Sequence, residues 1–330
     1  MKRLLVTALA VLVCSTHPAL AWETLPDKAP VPSNNPMTPE KIELGKKLYF
    51  DPRLSKTGQV SCNSCHNVLG NGTDNKPVSE GINGLKGNRH APTVWNAAFL
   101  PAQFWDGRAA SLEEQAKGPM INPVEMGMES HELVVKKIAS IEGYRKEFKK
   151  VYGDEKSINI DNVAKAIAAY ERTLITPSSA YDRFLKGDKK ALSASATRGM
   201  ELVKTVGCIA CHTGPHFNGP TAGAPFYMKF PTIPGTEYEK KYELAQDLGR
   251  YNVTKNEADK NFWRVSSWRN VELTGPYFHN GKVQTLDEAV RVMAKTQLAR
   301  DLKDNEVSDI VAFLKSLTGK RPKQTQPKLP

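Results

Sequence analysis

Long apolar segments are scarce in this sequence of 330 residues. No stretch, the N-terminal run included, is long enough to cross a membrane. The sequence also lacks a zinc-finger pattern, an RNA-binding signature and a concentrated basic cluster, although its formal net charge is +11. These absences argue against a nucleic-acid-binding protein. A basic surface without such motifs instead favours the attraction of an anionic partner.

Cysteine is also rare, and four of the five cysteines fall into two Cys-x-x-Cys-His patterns. Cys62, Cys65 and His66 form the first, and Cys208, Cys211 and His212 form the second. This pattern is the attachment signature of a c-type haem: the cysteines form thioethers and the histidine becomes the proximal iron ligand. Disulfides or a zinc site are the alternatives, but zinc ligand sets do not require histidine directly after the second cysteine. The sequence predicts two covalent haems and a protein that handles electrons.

The N-terminus predicts an export signal. Lys2 and Arg3 precede an apolar run (4–13) too short to span a bilayer, and Ala21 ends a small-residue cleavage site. Cleavage there would remove Cys14 and leave the four haem cysteines. It would also lower the net charge to 11 − 2 = +9. Haem attachment and export together predict the periplasm of a Gram-negative bacterium.

The chain reads as a diverged duplication. Asn96 matches Asn270, an offset of 270 − 96 = 174 that continues without a gap from Phe104 and Phe278 to Glu114 and Glu288. A repeat unit of this size indicates two related domains and not a short-period solenoid. The sequence predicts a mainly α fold: two cytochrome c-like haem domains related by internal duplication, with long irregular loops. We expect a signal peptide at 1–21, one haem domain at 22–185 and the other at 186–330.

Helical signals flank these motifs. Thr38-Pro39 predicts a helix start, and Ser111 and Thr285, each followed three residues later by Glu, predict two more. Apolar stripes from Val163 to Leu174 and from Val307 to Leu317 predict two buried helices. The Gly- and Pro-rich stretches 70–87 and 213–235 predict long loops that wrap the haems, and the stretch from Lys320 predicts an extended tail.

One residue of the second half is a candidate axial ligand. A peroxide-activating haem needs an open iron, whereas a haem that relays electrons has both axial positions filled. Met293 could fill the second position, because a thioether opposite histidine raises the reduction potential. Methionine is also a common core filler, and the chemistry of the sequence alone favours that structural role.

The first half offers groups for a distal pocket. Trp105, Gln115 and Glu125 follow the first haem motif at distances compatible with such a lining. A carboxylate near an open iron can carry a proton between the two oxygens of peroxide. The partly apolar setting of Glu125 would raise its pKa. A solvated loop glutamate is the alternative, and it is favoured by the residue pattern taken alone.

Three longer motifs resemble a known family. Residues 45–55 (GKKLYFDPRLS), 103–108 (QFWDGR) and 276–281 (PYFHNG) are similar to those of bacterial di-haem cytochrome c peroxidases. The resemblance covers nearly the whole mature chain. It implies that His66 belongs to the peroxidatic haem in the N-terminal domain, and that His212 and Met293 ligate the electron-accepting haem of the C-terminal domain. It also implies Gln115 and Glu125 in the distal pocket, with Glu125 as acid/base, and Trp105 as an electron bridge.

The resemblance implies a reaction and its partners. We expect reduction of hydrogen peroxide to water with electrons from a small cytochrome c or a blue-copper protein, in a homodimer. One alternative is a non-catalytic di-haem electron carrier, against which Gln115 and Glu125 argue. Another is the related class of di-haem enzymes that oxidise protein side chains, but these have Tyr where Met293 stands here.

The sequence departs from the family at two positions. In the Ser-x-Gly-His pattern of many relatives the histidine ligates the peroxidatic iron until activation, and here Ile82 takes its place. We therefore expect an open first haem that needs no reductive priming, unless His90 closes it. The family also binds calcium between its domains through an Asn and two carbonyls. Thr274 and Pro276 could supply the carbonyls, but the Asn position holds His90, a poor calcium ligand.

The remaining histidines are expected to have supporting roles. His131, at a predicted helix start, and His216, just after the second haem motif, are interpreted as structural or surface groups. His279 lies in a family motif, and a hydrogen bond to a haem propionate or to the backbone is expected for it.

Overall fold

The computed structural model describes residues 22–220 and 223–330, so the predicted signal peptide lies outside the described residues. The described chain is mainly helical, which confirms the predicted class. Its α-helices are α1 Pro39–Phe50, α2 Cys62–Cys65, α3 Leu112–Ile121, α4 His131–Ser140, α5 Glu142–Tyr152, α6 Ile160–Glu171, α7 Ala180–Leu185, α8 Ala194–Val206, α9 Glu237–Tyr242, α10 Tyr251–Thr254, α11 Leu286–Leu298 and α12 Asp304–Ser316. Two short strands, β1 Tyr227–Lys229 and β2 Phe262–Arg264, pair antiparallel. Within the described ranges, no helix has the length and apolar character needed to cross a membrane.

The first core is built around the crossing of α1 and α6. The Thr38 side chain accepts a hydrogen bond from Lys41 N–H and Pro39 occupies the first turn, so α1 begins as its residues predict. Gly45 allows the close approach, since a Cβ at this position would overlap the carbonyl oxygen of Ala166 on α6. Buried apolar residues between Leu44 and Leu174 fill this core.

The second core repeats this arrangement with α8 and α12. A Cβ at Gly199 of α8 would overlap the carbonyl oxygen of Asp309 on α12. The Asp309 carboxylate accepts hydrogen bonds from Ser195 and from both Nε and Nη2 of Arg198. Buried apolar residues between Tyr181 and Leu317 fill this core. The helix α7 packs with the second core, and the domain boundary at 185 stays a prediction.

Local backbone features recur at the predicted offset of 174 residues. Asn96 and Asn270 both have φ in the left-handed region, as do Phe104 and Phe278. Single bridges join Gln103 to Ala109 and Tyr277 to Val283. Ser111 and Thr285 both cap helices, α3 and α11. This recurrence is what a duplication would leave, and the duplication itself stays a prediction.

Charged groups join residues 22–174 (the first half) to residues 175–330 (the second half). Arg89 donates to Asp106 in its own half and to Asp247 in the other. Arg264 of β2 donates from its backbone N–H to Trp105 O, at 3.0 Å, and from Nε to Phe104 O, at 3.2 Å. These contacts hold Trp105 against the second half.

Candidate haem sites

The first Cys-x-x-Cys-His motif forms one helical turn. Cys62 to Cys65 constitute α2, and His66 N–H donates to Cys62 O to close the turn. His66 Nδ1 donates to Pro92 O at 2.9 Å, which leaves Nε2 as the nitrogen available to iron. Burial lowers the pKa of His66 and keeps the imidazole neutral, the form that binds a metal.

The second motif has the same chemistry on a tighter turn. Cys208–Ala210 form a 3₁₀ turn directly after α8, which ends at Gly207 with φ of 106°. His212 Nδ1 donates to Phe217 O at 3.1 Å, and its ring stacks on Trp268 with the centroids 4.4 Å apart. Burial lowers the pKa of His212 to about 4. This imidazole is therefore also neutral, with Nε2 left for a ligand.

The four cysteines of these motifs are free thiols and not disulfides. Burial raises the pKa of Cys65 and of Cys208 to about 11, so both thiols stay protonated near neutral pH. In the described part of the chain, no group of three or more Cys, His, Asp or Glu side chains could hold a metal ion. Disulfides and zinc, the alternatives for these motifs, thus find no support in the geometry. Paired free thiols beside a neutral histidine fit covalent haem c attachment.

Met293 and His212 line one cavity, of about 410 Å³. Met293 lies on α11, which Thr285 caps by accepting a hydrogen bond from Glu288 N–H. Cys208 and Cys211 line the same cavity. The structure therefore brings together the thiols, the proximal histidine and the methionine proposed for the second haem, in a cavity whose remaining lining is mostly apolar.

Trp105 also lines this cavity, although it belongs to the first half. Its Nε1 donates to His90 O at 2.8 Å. Pro92, whose carbonyl accepts the His66 hydrogen bond, lines the cavity as well. The short segment 90–92 thus connects His66 of the first motif to Trp105 at the second cavity.

Glu125 lies in the turn that follows α3. Asn122 Nδ2 donates to its carboxylate at 2.6 Å. Burial raises the pKa of Glu125, while Arg108 and the Asn122 hydrogen bond act in the opposite direction. Burial is the main cause of the raised pKa values of Cys62 and Cys65, and the Glu125 charge adds to both, in keeping with a carboxylate near the first pair of thiols. Gln115 is half-buried on α3, the helix that leads into this turn.

Ile82 is anchored beside Glu125. Its backbone N–H donates to Glu125 O at 2.9 Å, and its side chain is 5% exposed. A Cβ at Gly127 would overlap Ile82 Cδ1, and Ile82 belongs to the first core. The loop around Ile82 is therefore joined to the segment that carries Glu125, with an apolar side chain as its anchor.

The ring of His90 contacts two backbone carbonyls. Nδ1 lies 2.7 Å from Lys76 O and Nε2 lies 3.1 Å from Thr274 O. Both ring nitrogens thus face backbone carbonyls. This geometry argues against the idea that His90 replaces the missing distal ligand at Ile82.

The other histidines divide into two kinds. His131 begins α4, and its Nε2 contacts Lys117 O at 3.0 Å, in keeping with a structural role. His216 and His279 are buried and both line the second cavity, so a surface position for His216 is wrong. Burial lowers the pKa of His216 to about 3 and that of His279 to about 4.

Sequence reasoning missed the groups that orient the site residues. Pro92 and Phe217 act through backbone carbonyls, which leave no signature in side-chain patterns. Asn122, which donates to the Glu125 carboxylate, stands only three residues before it, so the sequence could have indicated this contact.

Comparison with known proteins places these sites in a family context. Residues 39–190 match the family described as di-haem cytochrome c peroxidase. The cytochrome c551 peroxidase of Nitrosomonas europaea is 48% identical over 91% of this chain and 86% of its own length. The cytochrome c551 peroxidase of Pseudomonas aeruginosa is 44% identical over 94% of this chain and 87% of its own length. A crystal structure of a MauG-like protein associated with microbial copper homeostasis superposes with a TM-score of 0.77 at 27% identity, covering 91% of this chain and 96% of the other.

Proposed function

Since this chain belongs to the di-haem cytochrome c peroxidase family and is a peroxidase, we propose that it reduces hydrogen peroxide to water in the periplasm. The electrons come from a small redox protein, a cytochrome c or a blue-copper protein. The observation that carries the proposal is the difference between the two sites. A half-buried carboxylate, Glu125, lies beside Ile82 and near the first pair of thiols, whereas Met293 shares the second cavity with His212.

Two covalently bound haem c groups fit these residues. Cys62 and Cys65 would hold one and Cys208 and Cys211 the other, in the domains 22–185 and 186–330. Bound haem would supply one iron that accepts peroxide and one that relays electrons. His66 would ligate the iron of the first haem, and His212 and Met293 would ligate that of the second.

Glu125 moves the proton during peroxide cleavage. Its carboxylate accepts the proton of one peroxide oxygen and returns it to the other, which leaves as water. Burial favours this exchange, because a raised pKa brings the carboxyl closer to the working pH. The overall reaction consumes one H₂O₂, two protons and two electrons and yields two H₂O. Gln115 completes the distal lining, and Trp105 carries electrons between the sites.

Ile82 could not ligate the iron of the first haem. An aliphatic side chain has no lone pair for iron, and Ile82 is also fixed in the first core beside Glu125. The enzyme therefore turns over without reductive priming. A high-spin ferric EPR signal in the fully oxidised, haem-loaded protein is the expected result, and two low-spin signals would contradict it. Ile82→His supplies the comparison: a second low-spin signal should appear at the expense of the high-spin one.

Steady-state turnover separates this function from its alternatives. Peroxide should be consumed with a reduced small cytochrome c or a reduced blue-copper protein as donor. A non-catalytic carrier would consume none with either donor. Met293 in the second cavity, where a tyrosine would be expected of a protein-oxidising relative, favours the peroxidase.

A further inference from the structure

Every polar group of His90 has a partner, and two of these groups reach the second half. His90 is 3% exposed. Its backbone N–H donates to His279 O in the second half at 2.7 Å, and its backbone carbonyl accepts from Trp105 Nε1. Its ring lies between a carbonyl of each half, Lys76 O and Thr274 O.

A second side chain of the first half binds the same loop. Asn75 Nδ2 donates to Leu273 O at 2.9 Å and to Gly275 O at 2.7 Å. Together with the His90 ring, it contacts three consecutive carbonyls, from 273 to 275. Thr274 and Pro276 line the second cavity, so this contact fixes one wall of the second haem site.

Calcium does not fit this arrangement. The family resemblance implies an ion held by an Asn oxygen at position 90 and by the carbonyls of Thr274 and Pro276. Calcium requires six to eight oxygen ligands at about 2.3–2.6 Å. Here the position of the Asn oxygen is taken by an imidazole, whose Nε2 already lies 3.1 Å from Thr274 O. The ring and an ion could not share this carbonyl at such distances.

We propose that His90 replaces the calcium of the family as the link between the two halves. A cation would join the halves by attracting carbonyl oxygens from both sides. The neutral His90 ring has one N–H, which reaches the second half when it is on Nε2 and donates to Thr274 O, and the backbone N–H of His90 donates to His279 O. Trp105 and the wall of the second cavity are therefore held without a metal. The inference rests on the contact between the halves and not on the proposed activity.

Calcium titration of the haem-loaded protein, after EGTA treatment and desalting, tests the proposal. Calorimetry with calcium chloride should detect no stoichiometric uptake, and the thermal midpoint should be the same with EGTA and with calcium. Uptake of one calcium per chain, or a midpoint that falls in EGTA, would overturn the inference. These measurements need no variant, so they decide the question even if substitutions at position 90 prevent folding.

The His90→Asn variant provides a second test of the proposed link. In EGTA its thermal midpoint should fall by about 1–2 °C, the shift expected for the loss of about one hydrogen bond's net stabilisation in a chain of this size. His131→Asn is the matched control, because its ring contacts a carbonyl within one half only. A His90→Asn protein whose midpoint in EGTA falls no further than that of His131→Asn would remove the linking role.

Discussion

At the scale of single residues, Glu125 is the group whose loss should cost most activity. Glu125→Gln keeps the size of the side chain and the Asn122 hydrogen bond but cannot accept a proton. We expect peroxide turnover to fall by about 10²–10⁴-fold with haem content unchanged. Steady-state assays and the haem absorbance spectrum check this. Glu129→Gln, an exposed neighbour that pairs with Lys56, should retain full activity.

The pH profile should report the same carboxyl. Peroxide cleavage needs the ionised form, and burial raises the pKa of Glu125, so activity should be lost as pH falls through that raised value. The Asn122 hydrogen bond stabilises the ionised form. Asn122→Ala should therefore raise the pKa further and move the acidic limb of kcat/KM to higher pH. A limb that stays in place or moves to lower pH would contradict this assignment.

Residue patterns predict which residues would hold the haems, but not the groups that support those residues. Each Cys-x-x-Cys-His motif predicts, within five adjacent residues, the two cysteines that attach a haem and the histidine that ligates its iron. Met293 was ambiguous by its own chemistry, because core methionines are common, and only the resemblance favoured it. The carbonyl of Pro92, 26 residues beyond His66, could not be predicted, since backbone partners depend on the folded path of the chain.

At the scale of elements, the crossing of α1 and α6 depends on the absence of a side chain at Gly45. Gly45→Ala would force a methyl group into the Ala166 carbonyl and separate the helices. We expect the free energy of unfolding to fall by about 1–3 kcal/mol, as in other overpacked contacts. Urea unfolding measures this. Gly87→Ala, where an added Cβ meets open space, should be nearly neutral.

Helix starts were predictable because capping is local. Thr38, Ser111 and Thr285 each accept a hydrogen bond from the backbone N–H three residues on, and that spacing stands in the sequence. The strands β1 and β2 were not predicted. Each has three residues, too few for an alternating pattern, and each is fixed by a partner about 35 residues away.

At the scale of the whole molecule, the contact between the halves holds Trp105, which we propose carries electrons between the two sites. Arg89 binds Asp106 of its own half and Asp247 of the other, and Arg264 binds the carbonyl of Phe104. The resemblance placed Trp105 between the haems, but these contacts have no counterpart in any local motif. The contacts of Arg89 with Asp247 and of Arg264 with Phe104 arise only when residues about 160 positions apart meet.

Replacement of Trp105 should separate peroxide cleavage from electron delivery. Trp105→Phe retains an aromatic ring beside the second cavity but loses the indole and its hydrogen bond to His90 O. Glu125 is untouched, so peroxide should still react at the first site. The rate at which peroxide oxidises the pre-reduced second haem should fall, and stopped-flow absorbance measures this rate. Trp95→Phe is the matched control, because Trp95 also lines the second cavity but its Nε1 has no hydrogen-bond partner within the described residues. Equal rates in the two variants would exclude Trp105 as the specific bridge, whereas slowing in Trp105→Phe alone would place electron transfer along the contact that His90 holds.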